Sequence, residues 1–183
     1  EANISYRKRK RHLAIKRVWL EPRASANPEA LTEIAAANLI VLGPGDLFTS
    51  IIPNLLVEGV SIAIVRSPAP VLYISNLMSR PAETHGFSVR DFVQRVEEYL
   101  GARVDAVIYN TKRPSARLAR VYREKEGAHP IRFMPDEADK EHRWIGGDLL
   151  SEHGGLIRHD HDKLANAVLA YALAQHLDVF GRQ

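Results

Sequence analysis

Cysteine is absent from the 183-residue chain. That excludes a disulfide framework, a thiol nucleophile and a thiolate metal site. Long apolar runs are missing as well. The longest candidate, Val60–Val65, falls far short of the roughly 20 residues that a membrane-spanning helix needs. The N-terminal stretch lacks the apolar core of a secretory signal, so elimination points to the cytoplasm. No Walker lysine follows a glycine loop and no G-x-G-x-x-G occurs. Ser-Lys, Cys-His and paired-carboxylate motifs are absent too, which weighs a binding role at least as heavily as catalysis. What is present is ordinary for a globular protein: 45% hydrophobic and 26% charged residues, far from the composition of a disordered chain.

The net charge of +3 hides an asymmetry. Residues 1–20 carry seven Lys or Arg and one Glu, a balance of +6, so the remaining 163 residues sum to −3. The body is mildly acidic behind a basic leader, residues 1–13, centred on Arg7-Lys8-Arg9-Lys10-Arg11-His12. Such a run suits phosphates or an anionic surface. It equally suits a solvated loop or edge strand, where cations discourage sheet-to-sheet pairing. Nucleic acid is disfavoured, because only Tyr6 is interleaved among the cations.

Three segments read as buried strands: Leu39–Leu42, Val71–Ile74 and Val104–Tyr109. Continuous apolar runs of this kind mark parallel strands covered on both faces. Their spacing is about one βαβ unit. The more alternating Ala14–Leu20 reads as a strand nearer an edge. Between them lie helix signals. Asn27-Pro28 is a cap followed by proline at the first helical position. Ser88 and Asp91 form an S-x-x-D capping box, with Phe92, Val93, Val96 and Leu100 inward and Gly101 as the stop. Ser115 opens a helix that Gly127 closes, and Asp160 or Asp162 precedes the strongest helical run. The alternation predicts a doubly wound, mostly parallel, Rossmann-like α/β fold. The expected domain covers residues 1–183 as a single partial unit, lacking the β–glycine-loop–α unit with which such sheets open.

Ligands of open parallel sheets bind beyond the carboxyl ends of the strands. Three loops follow those ends, and all three should face one edge. The first, Gly43-Pro44-Gly45-Asp46-Leu47-Phe48-Thr49-Ser50, offers a tight turn for an anion and two hydroxyls, although Asp46 repels a bare phosphate. Asp46 can instead cap the helix or hold a metal or a sugar hydroxyl, and Pro53 should end the first short helical piece. The second loop holds Asn76, Glu83 and Thr84; the third holds Asn110. Each amide suits a base edge or a sugar hydroxyl, and each equally suits a turn-bracing role. Glu83 reads as a hydroxyl acceptor or a loop acid. His159-Asp160-His161-Asp162 reads as a helix cap rather than a metal site, because i, i+2 histidines share no helix face and no third ligand is indicated. Arg158 can grip phosphate oxygens or pair with a neighbouring aspartate. Tyr122 reads as core packing.

These loops resemble a known family. Residues 43–56, GPGDLFTSIIPNLL, are similar to the GPGSLYTSIIPNLL segment of the YvcK-type gluconeogenesis factor family, which is UPF0052-like and related to CofD, the 2-phospho-L-lactate transferase. Residues 76–86, NLMSRPAETHG, resemble its N-x-M-T-Q-P-G-E-T-D-G segment. Ile15–Pro22 and Leu156–Asp160 are similar too. The resemblance implies a Rossmann-like fold, a nucleotide-sugar ligand such as UDP-N-acetylglucosamine or an NAD-like dinucleotide, and a cytoplasmic regulatory role in cell shape and wall synthesis during gluconeogenic growth. By motif position it implies Gly43, Gly45, Asp46, Thr49, Ser50, Asn76, Glu83, Thr84 and Asn110 as cleft-lining residues, with Tyr122 and Arg158 where the family has a ligand-contacting Tyr and Arg. Four departures stand out: Asp46 for serine, Ser79-Arg80 for Thr-Gln, Ala82 for glycine and His85 for aspartate. Arg80 can restore positive charge near Asp46. The family's upstream G-G-G-T-G loop has no counterpart here. The rival is a CofD-like phosphotransferase using Mg²⁺, for which Asp46 and Glu83 are the loop carboxylates. A third reading is a partner-binding module that uses the basic leader. A homo-oligomer is compatible with the sequence.

Overall fold

The computed structural model describes residues 15–134, 136 and 138–180. The basic leader, including residues 7–12, lies outside the described residues. The elements, in chain order, are α1 (Pro28–Ala36), β1 (Ile40–Leu42), a π-helical turn (Leu47–Ile51) that runs into α2 (Ile52–Leu55), α3 (Val60–Arg66), β2 (Val71–Ile74), α4 (Val89–Leu100), β3 (Ala106–Asn110), α5 (Ala116–Glu126), β4 (Arg143–Gly147), β5 (Leu150–Ser151), β6 (Arg158–His159) and α6 (His161–Phe180). Strands β1 to β4 form one sheet in the order β1-β2-β3-β4, and every pairing in it is parallel. Strands β5 and β6 pair antiparallel beside it. The expected parallel α/β architecture is therefore present. Among the described residues, no helix is long and apolar enough to cross a membrane.

Strand alternation sorts the core into two layers. On one face Val71, Tyr73 and Val107 meet Phe92, Val93, Val96 and Leu100 of α4, Leu47 and Phe48 of the turn after β1, and Ile52 of α2. On the other, Leu72, Ile74, Ala106 and Ile108 meet Leu149 and Tyr171, the latter from α6. All four β2 side chains are buried, each fully buried apolar one stabilising the fold by about 1.5–3 kcal/mol. The caps read from sequence are formed. Asn27 accepts from Glu29 N, Ser88 and Asp91 make the reciprocal capping box, and Ser115 accepts from Leu118 N. Gly101 and Gly127 end their helices at positive φ, 80° and 65°.

Two expectations need correction. Residues 15–20 form no strand. Ile15 is buried in the core and Val18 N donates to the Tyr99 hydroxyl at 2.9 Å, so the segment runs across α4 without a ladder partner, leaving Trp19 65% exposed. The sheet instead gains β4, whose Trp144 and Ile145 are too short an apolar run to announce a strand. It pairs along β3 from Ala106↔Arg143 to Asn110↔Gly147. Gly146 is required there, because a Cβ would lie 2.8 Å from the Tyr109 hydroxyl of its register partner.

The segment entering β4 is pinned by His142, whose side chain is 7% exposed. Its Nε2 lies 2.7 Å from Glu97 Oε1 of α4, and its Nδ1 lies 2.8 Å from Asp139 Oδ1. A neutral imidazole carries one N–H, so carboxylates at both nitrogens demand the imidazolium. Burial opposes that charge, but the bonds and attraction from Glu97 and Asp139 outweigh it and raise the His142 pKa above 6.5. For Asp139 burial is likewise opposed and outweighed, by hydrogen bonds from the His142 ring and from the His142 and Glu141 N–H groups, and its pKa falls below 3.8. Arg90 adds a contact to Asp139 at 3.7 Å. A raised histidine stabilises the fold fully below its unfolded pKa, about 6.5, and that contribution is lost as pH rises through the raised value. The depressed aspartate stabilises above its unfolded value and fails as pH falls through its folded one. The melting-temperature advantage of the wild type over Glu97→Gln should therefore be greatest below about pH 6.5 and shrink as pH rises above it. A difference that does not change with pH would contradict the charged-ring arrangement.

Candidate functional site

The parallel register brings the carboxyl ends of β1 to β4 to one edge, where the loops that follow them meet. The loop after β1 turns on Gly43, whose φ of +86° suits only glycine and where a Cβ would come within 3.0 Å of Ile74 O at the end of β2. From the loop after β2, Asn76 Nδ2 donates to Gly45 O at 2.8 Å. That bond closes one loop on the other across 31 residues of sequence. Asn76 Oδ1 is buried with no hydrogen-bond partner, and so is Thr49 Oγ1 in the turn after Gly45. Buried acceptors and hydroxyls are almost always partnered, and these two unpartnered ones lie in adjoining loops. Ser50 is exposed beside them.

Asp46 stands at the N-cap of the π-helical turn, yet its side chain makes no capping bond. Its two oxygens meet Arg80 from the loop after β2: Nε–Oδ1 at 3.0 Å, and Nη2–Oδ2. The backbone carbonyl of Asp46 instead accepts from both Ser50 N and Ile51 N, at 2.9 and 3.0 Å. Pro53 does not end this segment. It sits in the first turn of α2, where a missing N–H removes no helical bond.

The loop after β2 is anchored from below. Ser79, Glu83 and Thr84 are 3%, 3% and 1% exposed. Ser79 N donates to His129 O at 2.8 Å and Ser79 Oγ accepts from His129 N at 3.0 Å. Thr84 Oγ1 accepts from Arg80 N at 2.9 Å, while Arg80 O accepts from Thr84 N at 2.8 Å. Thr84 and Ser79 thus hold the loop's shape. Ser79 stands out in the sequence only as a departure from the family motif; its anchoring role is not legible there, because its partner lies 50 positions away.

The structure puts Asn110 at the same edge, with its amide engaged internally. Asn110 Nδ2 donates to Lys112 O at 2.6 Å, and Oδ1 accepts from Leu149 N at 3.0 Å, joining the loops after β3 and β4. Nearby Asp148 lies 3.2 Å from both Lys112 and Lys163. Tyr122 packs beside Leu118, Leu150 and Ile157, and its hydroxyl accepts from Ile157 N at 3.0 Å. Arg158 is exposed on β6, which α6 follows directly. Asp160 Oδ1 accepts from Lys163 N at 3.1 Å, so it caps α6. Burial lowers the pKa of His159, partly offset by a bond to the Ser75 backbone. Among the described residues no group of three His, Cys, Asp or Glu is arranged to hold a metal ion.

A groove of about 640 Å³ opens at the opposite edge of the sheet, lined by Asn38, Ser67, Pro70, Arg103 and Asp105 among others. Its polar groups serve the turns that form it: Asp105 Oδ2 accepts from Val71 N at 2.7 Å, and Ser67 Oγ donates to Ile34 O at 3.1 Å. None of the sequence-predicted site residues lines it.

Cross-bracing by Asn76 can be measured. Asn76→Ala leaves Gly45 O without its partner and should destabilise the chain by about 1–2 kcal/mol in denaturant titration. An unchanged midpoint and slope would show that the two loops are not held together by this amide.

Comparisons with known proteins place this geometry. The family model described as 2-phospho-L-lactate transferase CofD matches residues 1–150. A Thermotoga maritima relative is 40% identical over 158 residues, covering 82% of this chain and 49% of that protein. The "Gluconeogenesis factor" of Bacillus subtilis is 34% identical over 158 residues, covering 85% of this chain and 50% of that protein. Among solved structures, protein BH3568 of Bacillus halodurans superposes with a TM-score of 0.81 at 33% identity, covering 85% of this chain and 51% of that one; it is described as a member of the UPF0052 family. The chain spans about half the length of the curated relatives it matches. The match of the family model over most of its length shows that this chain belongs to the CofD family.

Proposed function

We propose that the chain supplies one wall of a nucleotide-sugar-binding crevice and that the protein acts as a regulatory factor, related to the gluconeogenesis factors, in cell shape and wall synthesis. The single observation that carries this reading is the pair of buried, unpartnered groups, Asn76 Oδ1 and Thr49 Oγ1, set in two loops that Asn76 itself ties together. An acceptor and a hydroxyl in adjoining loops match the donor and acceptor edges of a base or a sugar. The Gly43–Gly45 turn lets backbone approach a ligand closely, and Ser50 and Arg80 lie at the exposed rim. UDP-N-acetylglucosamine is the ligand favoured by the resemblance of the loops, with an NAD-like dinucleotide second.

A transferase reading draws on the name of the matching family. It needs a divalent ion held by loop carboxylates. The two available fit it poorly: Asp46 already faces the Arg80 guanidinium, and Glu83 is 3% exposed beneath its loop. No step through a metal is therefore derived from these residues.

Calorimetric titration of the chain with UDP-N-acetylglucosamine, NAD and a nucleoside triphosphate, each with and without Mg²⁺, separates the readings. Saturable UDP-sugar binding with no product is the expected result. Metal-dependent release of a nucleoside monophosphate would favour the transferase. Binding only to polyanions would replace both with a role for the basic leader.

A further inference from the structure

We infer that Arg80 is the side chain that selects an anionic ligand at this crevice, and that Asp46 is an internal competitor occupying it until a phosphate displaces the carboxylate. The inference rests on the nucleotide reading above and adds which group grips the phosphate and what holds that group in the empty state.

Four observations lead to it. The Arg80 guanidinium presents Nε and Nη2 to the two oxygens of one carboxylate. That fork is the geometry in which arginine also takes two oxygens of a phosphate. The pair bridges the two loops at the crevice rim, where the Arg80 side chain is 42% exposed and that of Asp46 23%, so a ligand from solvent can reach it. The backbone of Arg80 is fixed: Arg80 N and O are both bonded to Thr84, and Ser79 and Thr84 on either side of it are buried. The guanidinium is therefore presented from a braced loop. Asp46, finally, forgoes the bond its position offers. An aspartate at an N-cap ordinarily accepts from the N–H groups ahead of it, yet here the side chain makes no such bond and turns to Arg80.

The energetics favour exchange. Partly exposed ion pairs are held weakly, because water screens them. A phosphate carries more charge and more acceptor oxygens than a carboxylate, so the same guanidinium holds it more strongly. Asp46 also sets a selectivity. Once displaced, its carboxylate stays beside the incoming anion and repels it, so only a ligand that takes the Arg80 fork offsets that cost, and a neutral nucleoside gains nothing from the exchange.

The test uses the chain with UDP, UDP-N-acetylglucosamine and uridine as probes. Arg80→Gln should weaken UDP and UDP-N-acetylglucosamine binding about tenfold or more and leave uridine binding unchanged. Asp46→Asn should strengthen UDP binding several-fold, and that gain should be smaller in the Arg80→Gln background, where only like-charge repulsion is left to relieve and no competition for the guanidinium remains. In NMR, the Arg80 Nε–H signal should shift on adding UDP to the wild type and should start from a shifted position in Asp46→Asn. Thermal melts of each variant confirm folding. UDP binding that is indifferent to Arg80→Gln, or weakened by Asp46→Asn, overturns the inference alone. Failure of the wild type to bind any of the three probes overturns the nucleotide reading and this inference with it.

Discussion

A side-chain amide carries more of this structure than its size suggests. Asn76 reaches from the end of β2 to the Gly45 carbonyl beyond β1, and it can do so only because the strands are parallel and in register, Leu42 opposite Tyr73. Parallel pairing sends consecutive chain segments out of the sheet at the same edge. Gly43 turns the first loop back against Ile74, and the amide then closes the gap. Asn110 repeats the arrangement between β3 and β4, linking Lys112 to Leu149. The carboxyl edge is thus a row of loops braced by asparagines. Asn110 has both ends of its amide engaged, whereas Asn76 keeps a buried oxygen unpartnered.

The two ends of the sheet are stabilised by different physics. Below, His142 holds the entry to β4 through charge buried between Glu97 and Asp139. Above, the loops are held by neutral hydrogen bonds and by partly exposed ion pairs, Asp46–Arg80 and Asp148 with Lys112 and Lys163. Breaking a buried, doubly bonded charge is strongly destabilising, whereas a partly exposed pair contributes little. The two ends of the sheet therefore rest on interactions of different strength.

Much of this was legible in the amino-acid order, because the signals involved are local. The continuous apolar β2 run, the Ser88–Asp91 capping box and the stops at Gly101 and Gly127 depend on residues within a few positions of one another, and each formed as read. The Gly43–Gly45 turn and the Asn76 and Asn110 positions were also legible, since they follow strand ends. What escaped depends on distant partners. Residues 15–20 alternate like a strand, but the Tyr99 hydroxyl, 81 positions from Val18, takes the backbone bond that a ladder would need. Strand β4 draws on Gly146, whose value appears only when Tyr109 lies over it. Asp46 reads as a cap or a ligand group until Arg80, 34 positions away, is seen to hold it. The anchoring role of Ser79 has no signal in its neighbourhood at all.

The central claim, that the loops after β1 and β2 form one ligand crevice, is tested most directly by amide hydrogen exchange of the chain with and without saturating UDP-N-acetylglucosamine. The account predicts slowed exchange in residues 43–50 and 75–84 together, with no change around Asn38, Ser67 and Asp105 at the far edge. Protection confined to that far groove, or reaching only one of the two loops, would contradict it.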